Sequence, residues 1–225
     1  MFISDFIYEH VEDQTHYIRS YKDYFMHETI TTWNDSLKKF RLSATLLMHA
    51  LTYKTQVLRN CGLQLPEHTF YVDNIFAYQP LPHTTYIYYI PKVMYHYYIG
   101  RADQSVQMHN IVNRYDQQIR VMRHIMYAYN YKQLSHMPKG LKQYMFHNLA
   151  IIMIVTQMFT TAKDTEDRRT ALNLLWKDLR AYDMKMYHYL KYRSYNSMIN
   201  FLPFKAKGYI TTKSYLYLTT KVKLG

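Results

Sequence analysis

Three consecutive stretches between residues 105 and 192 repeat apolar side chains at steps of three and four, the spacing of one face of an α-helix. The first stretch, residues 105–131, has its apolar face at Met108, Ile111, Tyr115, Ile119, Met122, Met126 and Tyr129. The second, from 141 to about 161, is apolar on nearly all sides, which is typical of the central helix of a bundle. The third begins at Asp164, a suitable N-cap, and continues through Leu172, Leu175, Leu179, Tyr182, Met186 and Tyr189.

Residues 1 to about 103 have a different character. Four of the six prolines fall within residues 63–91, whereas residues 92–137 contain none. Because proline interrupts both helices and sheets, the two regions must differ in structure. Aromatic and β-branched residues predict strands, and turn residues bound two short helical segments. The predicted strands are 2–8, 86–90 and 93–99, and the predicted short helices are Thr55–Asn60, closed by Gly62, and 71–78.

The fold class predicted from these patterns is α+β and predominantly helical. A mixed sheet with short helices is expected over residues 1–103, and a helical bundle over residues 104–193. A basic, aromatic-rich C-terminal tail is expected over residues 194–225.

The positive charge of the chain is large and unevenly placed. Lys and Arg number 28 against 16 Asp and Glu, for a net charge of +12. No acidic residue follows Asp183, so the last 42 residues carry +8 and the first 183 carry +4. A basic, tyrosine-rich end suits an anionic membrane surface or a phosphate backbone. It equally suits a solvated end whose charge serves solubility.

Missing signals exclude several classes of protein. One cysteine, Cys61, allows neither an internal disulfide nor a Cys-based zinc site, which is typical of a reducing compartment. Twelve histidines are present without an HExxH pattern, so no metal site is predicted. The sequence contains no P-loop, GxGxxG, GxSxG or Cys–His nucleophile pattern. The Met and aromatic stripes fit a packed core better than a cofactor pocket.

Localisation follows from two further absences. The first ten residues lack the layout of a signal peptide, and the longest apolar run, residues 149–155, is too short to span a bilayer. We therefore predict a cytoplasmic protein, whose basic end allows peripheral contact with the inner face of the plasma membrane. Lysines interleaved with tyrosines also suit nucleic acid, but no RRM, KH, zinc-finger or helix-turn-helix signature is present. No specific nucleic-acid partner is expected.

One region of the chain has a more definite pattern. Residues 49–82 read HALTYKTQVLRNCGLQLPEHTFYVDNIFAYQPLP, and residues 95–106 read YHYYIGRADQSV. The pattern consists, in order, of Tyr53 and Lys54, the turn Leu65-Pro66-Glu67, Asp73 opening a helix, and then Tyr95, Tyr97, Arg101, Gln104 and Ser105. This order and spacing, over about 60 residues, resembles the acceptor-side half of family 2 glycosyltransferases, of the kind that build bacterial exopolysaccharide and capsule.

The resemblance implies a GT-A-type fold that transfers a sugar from a nucleotide donor to a lipid-linked saccharide acceptor. Such a reaction needs a carboxylate to remove the proton of the acceptor hydroxyl as that hydroxyl attacks. It also needs groups that bind the diphosphate or an acceptor phosphate. The residues implied are Asp73 as the base, Arg101, Gln104 and Ser105 for acceptor or phosphate binding, and Tyr53, Lys54 and Tyr95 near the rim of the cleft.

Alternatives remain for the two residues that carry most of this interpretation. The family usually has Glu-Asp where this chain has Val72-Asp73. From the residues alone, Asp73 serves equally well as a helix N-cap. Arg101 serves equally as a turn residue that follows Gly100 and tethers the next helix.

The family's nucleotide-sugar half has no counterpart in this sequence. That half carries an Asp-x-Asp motif whose carboxylates hold a divalent cation against the diphosphate. No Asp-x-Asp occurs here, so Mg²⁺ or Mn²⁺ is implied only for the complete family enzyme, and no cofactor is expected in this chain. We expect a truncated glycosyltransferase that is inactive alone. The alternatives are a non-catalytic module that binds a membrane surface or a partner protein, and, third, a nucleic-acid binder.

Overall fold

A computed structural model describes residues 1–10, 14–35, 39–41, 44–99 and 108–222. The strands are β1 (Phe2–His10), β2 (His16–Arg19), β3 (Ile30–Thr31), β4 (Leu51–Thr52) and β5 (Ile87–Ile99). The helices are α1 (Thr55–Asn60), α2 (Asp73–Tyr78), α3 (Met108–Asn113), α4 (Tyr115–Ala128), α5 (Tyr131–Ser135), α6 (Lys139–Thr161), α7 (Glu166–Tyr182), α8 (Met184–His188), α9 (Ser197–Asn200) and α10 (Phe204–Val222). With 55% of the chain helical and a five-stranded mixed sheet, the predicted mixture of helix and sheet is confirmed.

The sheet has the strand order β2-β1-β5-β3, and β4 pairs with the first residues of β1. Its centre is the parallel pair β1 and β5, which runs from Phe2 opposite Tyr88 to His10 opposite Ile99. Several large apolar side chains of the two strands are buried, among them Phe6, Ile87 and Tyr89, whereas Met94, Tyr95 and Tyr98 of β5 are exposed. Because the pair is parallel, the carboxyl ends of both strands lie at the same edge of the sheet.

β5 is a single strand where the sequence predicts two. Pro91 lies inside it, and the pairing with β1 shifts register between Ser4 and Phe6, opposite the residues that follow Ile90. Proline has no N–H to donate, so the ladder breaks there. The pairing with β1 is irregular at this point but resumes after it, so β5 continues past Pro91. The predicted strand boundary at this proline is therefore wrong.

α6 is the central helix of the region after residue 108. It contacts α3, α4, α5, α7 and α10, and side chains all around it are buried. No strand occurs among the described residues from 108 onwards. Among the described residues, no helix is both long and apolar enough to cross a membrane.

Two of the predicted helices are broken. The first is interrupted at Arg114, whose backbone leaves helical geometry while its guanidinium lies 3.6 Å above the ring of Phe70. The second break is at Asp183, whose carboxylate caps α8 and accepts a hydrogen bond from the backbone N–H of Tyr131. A capping carboxylate stabilises the start of a new helix, so the third stripe is divided between α7 and α8.

Asp164 is not the N-cap of α7, which corrects the sequence prediction. Thr165 occupies that position, without a side-chain capping bond. The Asp164 carboxylate instead makes two bonds of 2.7 Å to the guanidinium of Arg169.

The described part of the C-terminal region consists of α9 and α10, and α10 packs on α6. The contact is close, since a Cβ atom on Gly208 would lie 2.1 Å from the carbonyl oxygen of Thr161. Lys207 and Thr211 are buried beside it. The first half of α10 therefore belongs to the folded body of the protein.

Candidate functional site

α2 begins at Asp73 and packs against the turn Met48–Ala50, which also contacts β1 and β5. Tyr8, two residues before the end of β1, pairs with Tyr97 of β5. Burial raises the pKa of the Tyr8 hydroxyl, and the negative charge of Asp73 adds to that rise. The carboxyl edge of parallel strands is where open α/β sheets bind ligands.

The loop before Asp73 holds this carboxylate in an unusual setting. His68 and Tyr71 have positive φ angles of 49° and 68°, a backbone conformation that costs free energy for residues other than glycine. The chain then enters α2, with Val72 at the N-cap and Asp73 as the first helical residue. The side-chain amide of Asn74 donates to the carbonyl of Tyr71 at 3.1 Å, which ties the loop to the helix.

The environment of Asp73 favours a proton acceptor. Burial raises the pKa of its carboxyl group, and the backbone N–H groups of Asn74 and Asp73 offset part of that rise. A carboxylate with a raised pKa is a stronger base than one in water, provided that it is still ionised at the working pH.

His49 is a functional candidate that the sequence reasoning missed. Its ring stacks on Tyr95 with 5.0 Å between centroids, and lies 4.5 Å from the ring of Tyr97. Burial lowers the pKa of His49 to about 4, so the imidazole is neutral at pH 7. Its Nδ1 atom is buried and has no hydrogen-bond partner among the described residues. The only sequence signal was its place at the start of the motif, four residues before Tyr53.

The rings at this edge form a continuous array. Tyr8 and Tyr97 meet edge to face at 5.7 Å, and His49 and Tyr95 continue the array along β5. Tyr95 is 44% exposed, so its ring also presents an apolar surface to solvent. The array therefore connects the surroundings of Asp73 to an exposed aromatic face.

Tyr53 and Lys54 are placed differently from each other. The Tyr53 ring packs edge-on against Phe76 of α2, one turn beyond Asp73, at 5.3 Å. Its hydroxyl is buried without a partner among the described residues, and burial raises its pKa well above the usual value. Lys54 is exposed and lies near the α-amino group of Met1, whose pKa is lowered by burial and by the lysine charge. Lys54 is therefore at the amino end of β1, away from the carboxyl edge.

Three of the predicted site residues, Arg101, Gln104 and Ser105, lie outside the described residues. They belong to residues 100–107, which connect the carboxyl end of β5 to α3. Their convergence with Asp73 remains a prediction. No group of three His, Cys, Asp or Glu side chains suited to a metal ion occurs in the described part of the chain.

Chemically, the arrangement offers a proton acceptor, a neutral imidazole, and an aromatic face. The carboxylate can take a proton from a hydroxyl group, and the aromatic face can pack against the apolar side of a ligand. Comparisons with protein-family models, with curated proteins and with solved structures find no match to this chain. What the site does must therefore be argued from these residues.

Proposed function

We propose that this chain is the acceptor-binding part of a family 2 glycosyltransferase acting in cell-surface polysaccharide synthesis. The observation that carries the proposal is the burial of Asp73 at the start of α2, which raises the pKa of its carboxyl group. The order of residues around it resembles the acceptor side of that family. A carboxylate with a raised pKa can accept the proton of an acceptor hydroxyl group.

In the complete enzyme, which also holds the donor-binding half, the Asp73 carboxylate accepts a hydrogen bond from one hydroxyl of a saccharide acceptor. As that oxygen attacks the anomeric carbon of a nucleotide sugar, its proton passes to Asp73 and the nucleoside diphosphate leaves. Tyr95, on which the His49 ring stacks, packs against the carbon skeleton of the acceptor. Arg101 and Gln104 bind the departing diphosphate.

The metal that the complete family enzymes use has no fitting ligands here. The sequence contains no Asp-x-Asp pair, and the described residues offer no metal-ligand cluster. No step in the proposed mechanism is therefore assigned to a metal. We expect this chain to bind an acceptor without transferring sugar to it.

Asp73→Asn should weaken acceptor binding about tenfold or more, because a hydrogen bond to a charged group contributes about 1.5–3 kcal/mol. The measurement is calorimetric titration of the full chain with octyl mono- and disaccharide glycosides, which mimic a lipid-linked saccharide. Asp167→Asn, which removes an exposed carboxylate on α7, is the matched control and should leave affinity unchanged.

A parallel assay supplies labelled UDP-sugars and GDP-sugars with the octyl glycosides, with and without Mg²⁺ or Mn²⁺. No transfer is expected. Turnover that Asp73→Asn abolishes would contradict the expected inactivity and reveal an unrecognised donor site. Failure of every glycoside to bind, or equal binding by both Asp variants, would contradict the role of Asp73 in acceptor binding.

A second candidate function is attachment to an anionic membrane surface. The exposed side chains of Met198, Phe201 and Tyr209, which are 82%, 74% and 68% accessible, lie on or beside α9 and α10 together with the exposed Lys205 and Lys213. Aromatic rings favour the headgroup region, and lysines are attracted to anionic lipid. We propose this surface as the membrane contact.

Only part of the C-terminal charge is available for such contact. Lys207 is buried, and its pKa is lowered by burial and by the charge of Lys191. Lys191 itself lies 4.6 Å above the ring of Trp176. Membrane attraction must therefore come from the exposed cations, among them Lys205 and Lys213, rather than from all the cations that the sequence counts.

Lys205→Gln combined with Lys213→Gln should weaken vesicle binding about thirtyfold, because each lysine near an anionic surface contributes about 1 kcal/mol. The measurement is flotation with phosphatidylcholine vesicles containing one-third phosphatidylserine. Lys92→Gln with Lys177→Gln removes the same charge from exposed positions elsewhere and should have little effect. Equal losses in both double variants would show a general charge effect, and tight binding of a random single-stranded oligonucleotide would favour nucleic acid instead.

A further inference from the structure

A cavity of about 630 Å³ lies among α5, α6, α9 and the π-helical turn Tyr189–Arg193 that follows α8. It is formed by residues that are distant in the sequence and includes none of those placed at the Asp73 site. Its lining includes the cations Lys39, Lys142 and Arg193 and the aromatic residues Tyr144, Phe146 and Tyr189. Cavities of this volume accommodate small organic ligands.

The charge of this lining is positive. Lys39, Lys142 and Arg193 contribute side chains, and no aspartate or glutamate is among the lining residues. Lys39 and Arg193 form no ion pair with a residue that the structure describes. The nearby Asp183 carboxylate is already occupied by backbone N–H groups of α5 and α8. Among the described residues, the lining of this cavity therefore contains more positive than negative charge.

An adjoining cavity of about 380 Å³ extends the same positive region. It shares Tyr131, Tyr189 and Arg193 with the first cavity and adds Lys185 and His188 to the lining. No acidic side chain lines this second cavity either. Arg193 thus stands where the two cavities meet.

Two pairs of packed aromatic rings line the larger cavity. Phe40 packs against Tyr144 with 4.7 Å between ring centroids, and Phe146 packs against Tyr189 at 4.7 Å. Tyr131 extends the second group, 5.2 Å from Phe146. Flat rings beside lysine and arginine side chains suit a ligand with an anionic group and an apolar or ring-shaped body.

The turn that carries Arg193 is held rigidly. Its wide geometry is closed by a bond of 2.9 Å from the Ser194 N–H to the Tyr189 carbonyl, five residues back. Asn196 anchors the next residues to α6 through the Ala150 carbonyl at 3.0 Å and Gln157 at 2.8 Å. π-helical turns are rare and occur frequently at functional sites.

We infer that this cavity binds an organic phosphate. The phosphate group is bound by Lys39, Lys142 and Arg193, and the apolar or ring-shaped body contacts the aromatic rings of the lining. Lys142 donates to the Ser135 carbonyl at 3.3 Å and keeps two further N–H donors for a ligand. A soluble phosphate ester and a phosphorylated lipid headgroup both provide this chemistry. The inference does not depend on the glycosyltransferase proposal.

The test is calorimetric titration of the full chain with phenyl phosphate, inorganic phosphate and phenol. Phenyl phosphate should bind about tenfold more tightly than either fragment, because both the charge and the ring contribute. Arg193→Gln and Lys142→Gln should each weaken its binding about tenfold or more. Arg193→Lys should keep most of it, and Lys177→Gln, an exposed lysine on α7, should change nothing.

Flotation with vesicles that contain phosphatidic acid distinguishes a phosphorylated lipid headgroup from a soluble phosphate ester as the natural ligand. Vesicle binding that phenyl phosphate inhibits, and that Arg193→Gln weakens, assigns a lipid headgroup to the cavity. Vesicle binding that phenyl phosphate does not affect assigns a soluble ester, given that phenyl phosphate itself binds. Phenol binding as tightly as phenyl phosphate, no binding of phenyl phosphate, or undiminished binding in both cation variants of unchanged thermal stability overturns the inference.

Discussion

Gly140→Ala is expected to lower the free energy of unfolding by about 3 kcal/mol, at the upper end of what overpacking costs. Gly140 is the second residue of α6, where the helix approaches the turn Trp33–Asp35. A Cβ atom there would lie 1.6 Å from the carbonyl oxygen of Trp33. That obstacle is backbone and cannot rotate away, so the turn and the helix must separate. Urea denaturation followed by circular dichroism measures the loss.

Gly62→Ala is the matched control. Gly62 has a positive φ of 63°, but no atom lies within 4 Å of the position its Cβ would take. Only the backbone conformation opposes alanine there, at about 1 kcal/mol. Equal destabilisation by the two variants would contradict the close approach of α6 to residues 33–35.

Arg168→Met is expected to lower the free energy of unfolding by about 3 kcal/mol, because it leaves several buried carbonyl groups without donors. Arg168 is buried at the start of α7 and donates to the carbonyls of Phe159 and Thr160, in the last turn of α6, at 2.9 and 3.3 Å. It also donates to the Val112 carbonyl, and its guanidinium lies 4.1 Å from the Tyr115 ring centroid. One side chain thus joins α3, α4 and α6. Thermal and urea unfolding measure the loss.

Arg169→Met, at the neighbouring position, provides the comparison for Arg168. Arg169 is exposed, and solvent screens its ion pair with the Asp164 carboxylate, so Arg169→Met should change the free energy of unfolding little. Arg168→Lys should restore only part of the stability, since an ammonium group cannot bond all three carbonyls with the geometry of a guanidinium. A loss at Arg168→Met no larger than that at Arg169→Met would contradict its role in joining the helices.

The sequence predicted helices correctly where a periodic apolar pattern extended over many consecutive residues. The stripes that predict α4, α6 and α7 cover many residues, and the apolar face of each helix is the face that is buried. β2, β3 and β4 were missed, since strands of two to four residues carry almost no periodic signal. They exist because pairing with β1 or β5 satisfies their backbone groups.

The candidate site shows the same contrast between features that a local pattern predicts and features that depend on distant contacts. Asp73 was named from the motif, and the start of α2 at this residue agrees with the predicted short helix within two residues. His49 could not be singled out, because the burial that keeps it neutral comes from residues that the fold brings beside it, including Tyr95 and Tyr97 of β5. Lys54 was grouped with Asp73 by proximity in the motif, yet β4 carries the chain to the amino end of β1 just before it.

The sequence by itself determined the helical region, the strand propensity of β1 and β5, and the excess of positive charge at the C-terminal end, because each depends on residue type and local spacing. Tertiary structure alone decided which strands pair and how Pro91 is accommodated. It also decided which lysines are buried and how Lys39, Lys142 and Arg193 come to line one cavity. These features depend on contacts between residues that are far apart in the sequence, such as Lys39 and Arg193, which are 154 positions apart. The burial, strand pairing and charge balance of such residues depend on neighbours that no local pattern specifies.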